Sequence, residues 1–163
     1  MTFHKAGPSL AADAHAGALF ITVYRGAMAG FSVGQTDCWD VGWRALDQAT
    51  PPGEAGALFG EFYAFVRALL AVARSPLSWR PANCRGLCND EALALSMIEA
   101  AQGADTMGVL AAAAALLGVE ELGDALQAAR SLARALAERG LFVRAPLQDE
   151  PCEFEVHPAR PMA

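Results

Sequence analysis

No histidine lies between His15 and His157, so the commonest general base is missing from the interior of the chain. The chain also lacks a glycine-rich phosphate loop ending in Lys and Ser or Thr, a dinucleotide fingerprint, an H-E-x-x-H pair and a G-x-S-x-G elbow. Each absence removes a sequence mark of a reaction class: nucleotide chemistry, zinc proteolysis and α/β-hydrolase catalysis. Glu-x-x-His pairs, by which helical bundles hold two metals, are missing as well. The reading therefore leans away from an enzyme, with no catalytic residue and no cofactor assigned.

Charge is scarce too. Charged residues make up 18% of the chain and apolar ones 54%, against roughly 25% and 45–50% in ordinary domains, so part of the apolar surface is expected to meet a partner. The net charge of −6 repels phosphates, and nucleic acid is not expected as a partner. No stretch reaches the roughly 18 uncharged apolar residues of a membrane helix: the apolar run from Ala55 to Val72 carries Glu61 and Arg67, and Thr106 to Val119 is too short. Asp13 and His15 interrupt the only stretch resembling a signal-peptide core. The expected address is cytoplasmic, without membrane contact. Lys5 is the only lysine, which with the abundance of alanine reads as the codon bias of a GC-rich bacterial genome.

What is present points to helix. Alanine is the best helix former and is poor in strands, and a chain of 163 residues can bury a core without a metal or disulfide staple. The pattern predicts an all-α, compact bundle of about five to six helices. Residues 1–8 form a flexible start, 9–157 a single helical domain with a subdivision near 76–88 as the alternative, and 158–163 a loose tail.

Ser9 caps the first expected helix, in which Phe20, Val23, Tyr24, Ala27 and Phe31 recur at three- and four-residue steps. Gly26 and Gly30 leave a smooth patch on it for close approach of another helix. A second helix starts at Thr36 or Asp37, with Trp39, Trp43 and Leu46 on one face. A third runs over about Glu54 to Ser75 on a stripe of Leu58, Phe62, Phe65 and Leu69. The segment from Ser75 to Leu87 is the longest irregular stretch. Asn89 is the expected cap of a fourth helix reaching Gln102, Asp105 that of a fifth ending at Gly118, and a sixth spans about Glu120 to Arg139, closed by Gly140. Leu141 to Arg144 and Cys152 to Val156 have the alternation of a small C-terminal β-hairpin.

Two side-chain groups stand out. Cys84 and Cys88 are spaced like zinc ligands or redox thiols, and Cys88 precedes a helix N-terminus, which favours thiolate. Zinc is the alternative cofactor, although Cys38, Cys152 and His157 supply no second tight pair, and Asp90 and Glu91 oppose thiolate formation. Trp39, Trp43, Trp79 and Arg80 are the interface candidates, since Trp and Arg dominate binding hot spots. For the tryptophans the competing role is core packing, with Trp79 as a plug.

The leading expectation is a non-enzymatic helical interaction protein, regulatory or adaptor in role, forming a homodimer or binding another protein. The alternatives are a zinc or thiol-redox protein using Cys84 and Cys88, and a degenerate winged-helix transcriptional regulator. The last is opposed by Glu120, Glu121 and Asp124 where a recognition helix would begin.

Overall fold

A computed structural model describes residues 10–145, with side chains from His15 onward. Among the described residues there are six helices: α1 (Leu10–Val33), α2 (Asp37–Ala49), α3 (Ala55–Val72), α4 (Asn89–Gln102), α5 (Thr106–Leu117) and α6 (Ala125–Glu138). They form a compact helical bundle with no strand among those residues. The expected second strand of the hairpin, Cys152 to Val156, lies outside the described residues.

α1 and α2 are joined by a turn at Gly34, whose positive φ of 70° ends the first helix, and they pack along much of their length. Gly26 and Gly30 make that approach possible. A Cβ on Gly26 would stand 2.6 Å from the Cys38 carbonyl oxygen, and one on Gly30 would overlap the Trp39 indole. Phe20 meets Phe62 and Phe65 of α3 at ring-centroid distances of 5.4 and 6.3 Å, and all three rings are fully buried. α3 lies against α6, α4 against α5 and α6, and α1 also touches α4, so the two halves of the chain pack across the loop that joins them.

Three helix boundaries move from the sequence expectation. α3 ends at Val72 because the Arg74 N–H turns away to the Leu117 carbonyl at 2.9 Å. α4 is capped by Cys88, one residue before Asn89, because Glu91 returns to accept the Cys88 N–H at 3.0 Å, the return half of a capping box. α6 begins at Ala125, after Gly123 takes a φ of 51°, so exposed Glu120, Glu121 and Asp124 belong to the turn before it.

Other boundaries agree with the pattern. Asp105 caps α5 by accepting the Gly108 N–H at 2.9 Å, and Gly118 closes it with φ 66°. Residues 141–145 form no regular element but are strapped to α4 by side chains. Gln102 donates to the Leu141 carbonyl and accepts the Val143 N–H, each at 2.9 Å, and Glu99 accepts the Ala145 N–H at 2.8 Å.

Candidate functional site

The most connected polar group in the fold is Arg25, in the middle of α1. A guanidinium amid Tyr24, Ala27 and Met28 is costly to bury unless it is fully partnered, and this one is only 4% exposed. Its Nε donates to Glu91 Oε1 at 2.7 Å and its Nη2 to Glu91 Oε2 at 3.0 Å. Nη2 also donates to the Gly86 carbonyl at 2.7 Å, and Nη1 to the carbonyls of Cys84 at 2.6 Å and Pro81 at 3.3 Å. All five N–H donors of the guanidinium are thereby committed.

Glu91, 0% exposed, is equally occupied. Its Oε1 also accepts the Arg80 backbone N–H at 2.9 Å, and its Oε2 accepts the Cys88 N–H. One ion pair between α1 and α4 therefore holds five backbone groups of the intervening loop. With no donor or acceptor left over, Arg25 and Glu91 shape the loop. Asp90 adds a further tie, accepting the Ser78 N–H at 2.8 Å.

This explains why a stretch read as irregular is nonetheless ordered. It also shows what sequence reasoning missed, for neither Arg25 nor Glu91 stood out as a site residue. The signal was a lone charge inside an apolar helical run, which demands a buried carboxylate from elsewhere.

The loop forms one wall of a cleft of about 350 Å³ between α1 and α2. Ala29, Val33, Val41, Trp79 and Pro81 give it an apolar lining, and Cys38 lies on its α2 side. Val33 and Val41 are 46% and 47% exposed at this surface.

The sequence candidates are scattered around this framework. Cys88 is buried, donates its thiol to the Ser78 carbonyl at 3.4 Å, and is pushed up to about 11 by burial and by the charges of Glu91 and Asp90. Cys84 is half-buried and accepts from Arg80 Nη1 at 3.4 Å; that bond and the Gly86 backbone draw its thiol below the ordinary cysteine value. The two thiols thus face different partners, and no group of three metal-ligating side chains gathers among the described residues. Arg80 is buried at 4% exposure, and Trp79 is half-buried against the core. Trp39 packs beside Phe31 and Tyr63 at 5.8 and 5.7 Å. Trp43 is 43% exposed, with its ring edge-on to Phe59 at 5.6 Å.

No family model, curated protein or solved structure matches this chain.

Proposed function

We propose that the protein is a non-enzymatic helical interaction module, regulatory or adaptor in role, that pairs with a second copy of itself through the outer face of α3, with Trp43 at the edge of the contact. The observation that carries this reading is a mismatch between composition and burial. Two helical stretches, interrupted by one and two charges, are nonetheless apolar enough by length and composition to cross a membrane. His15–Val33 is 67% buried inside the fold, whereas Ala55–Val72 is only 33% buried. The first is accounted for as core, and its one charge, Arg25, is spent inside the protein. The second leaves one face of an apolar helix without cover.

The outer face of α3 consists of Gly56, Ala57, Gly60, Ala64 and Ala71, interrupted by Arg67. A Cβ at Gly60 would meet nothing within 4 Å, and the Trp43 ring stands 3.4 Å from where a Gly56 Cβ would lie. This combination of a flat strip of small residues with a fixed aromatic at its edge suits a second, equally flat helix, because backbones can approach closely. A two-fold pairing places the same strip on both sides, and burying Trp43 supplies the hot spot.

Light scattering after size exclusion tests this. The wild-type chain is expected to elute as a dimer and Gly60→Arg as a folded monomer, since the monomer has open space at that position. Trp43→Ala should weaken the dimer by about 2 kcal/mol, roughly thirtyfold in Kd. A wild-type chain that is monomeric at tens of micromolar, or that floats with phosphatidylcholine vesicles, would overturn the proposal, the second outcome in favour of a bilayer.

A further inference from the structure

We propose that Cys84 is an oxidation site for peroxide, and that its thiol is mechanically linked through Arg80 to the loop wall of the cleft. The inference is independent of self-association. It rests on a cluster of groups converging on one residue. The Cys84 carbonyl is held by Arg25 at 2.6 Å and its Sγ by Arg80 at 3.4 Å. The Arg80 backbone is in turn fixed on Glu91. The guanidinium also lies close to Gly86, where a Cβ would stand 2.6 Å from Arg80 Nη1. The loop is therefore folded around a guanidinium that touches the sulfur, and Arg80 lines the cleft together with Trp79, Pro81 and Ala82.

The other described thiols supply the contrast. Cys38 is also half-buried, but its Sγ faces the Gln35 amide oxygen at 3.6 Å, with no cation. Cys88 is 1% exposed and turned inward. Only at Cys84 do partial exposure and cationic contact coincide, the conditions under which a thiolate is both formed and reached. Arg80 and Arg25 are the charged groups whose fields act on it.

The chemistry is a two-electron oxidation. The Cys84 thiolate attacks one oxygen of hydrogen peroxide, an S–O bond forms as the O–O bond breaks, and the departing hydroxide takes a proton from solvent to give water. The product is the sulfenic acid. The new hydroxyl enters where Arg80 Nη1 meets the sulfur at 3.4 Å, so that contact rearranges and loosens this part of the loop.

The wild-type full chain serves for the alkylation and labelling measurements, and Cys84→Ser for the control. Iodoacetamide alkylation of each cysteine, followed by mass spectrometry between pH 6 and 9, should show Cys84 reacting at a lower pH than buried Cys88. One equivalent of peroxide followed by dimedone should label Cys84, and amide exchange over residues 79–88 should then rise severalfold. Cys84→Ser should show no such rise. Coincident alkylation profiles for Cys84 and Cys88, dimedone on other cysteines instead, or unchanged exchange after oxidation would each overturn the proposal.

Discussion

Glu91→Gln is expected to cost about 3–5 kcal/mol of stability, the usual penalty for leaving one partner of a buried ion pair uncompensated. For a chain of this size that lowers Tm by on the order of 10 °C, measurable by thermal circular dichroism. Arg25→Met should cost at least as much. The more telling variant is the pair Arg25→Met with Glu91→Met. A buried ion pair that binds only itself can often be replaced by apolar residues without loss. Here the pair also satisfies the carbonyls of Pro81, Cys84 and Gly86 and the N–H groups of Arg80 and Cys88. Each of these groups, if left buried and unpaired, costs about 1–3 kcal/mol. The double variant should therefore remain as unstable as the singles, with amide exchange over residues 79–88 raised to the level of an unprotected loop. Recovery to wild-type stability would mean that the loop does not depend on this network.

That network marks where the sequence stops being legible. Helix identity followed from local signals: the apolar stripe of α3, the Asp105 cap, the glycines after α5 and α6. Those signals act over a few residues and survive without tertiary context. The start of α4 was misplaced by one residue because Asn89 is the better intrinsic cap, and only a long-range fact displaces it: Glu91 is drawn in by Arg25, 66 positions earlier in the chain, and takes the Cys88 N–H with it. The start of α6 was read too early because Glu120 and Glu121 resemble a helix first turn, whereas Gly123 breaks the chain between them and Ala125. For the site residues, spacing singled out Cys84 and Cys88 as a pair, but spacing carries no information about direction. In the fold one sulfur meets a guanidinium and the other a backbone carbonyl. Among the tryptophans, periodicity placed Trp39, Trp43 and Leu46 on one stripe, yet Leu46 is fully enclosed, Trp39 half-buried and Trp43, between them in the chain, exposed. Which of the three faces outward depends on where α3 lies, and no local pattern states that.

Gly26→Val should be among the most disruptive single changes in α1. A Cβ at this position would lie 2.6 Å from the Cys38 carbonyl oxygen and 3.4 Å from the carbonyl carbon. Both atoms are backbone of α2, so no rotamer change relieves the overlap and the two helices must separate. Val23 already lies 3.4 Å from where a Gly42 Cβ would stand, so the contact is tight from both sides and the separation spreads along the pair. Overpacking of this kind costs about 1–3 kcal/mol, and valine belongs at the upper end because its two methyl groups extend the clash. Moving α2 outward also widens the cleft that Gly26 and Cys38 help to line, so Cys38 should alkylate faster in the variant. Gly17→Ala provides the comparison on the same helix. A Cβ there meets only the Arg144 carbonyl oxygen at 3.7 Å, an ordinary contact, and replacing glycine inside a helix should raise stability by about 0.5–1 kcal/mol. Denaturant titration of both variants decides the matter: opposite signs are expected, and a neutral Gly26→Val would mean that α1 and α2 do not pack as closely as Gly26 and Cys38 indicate.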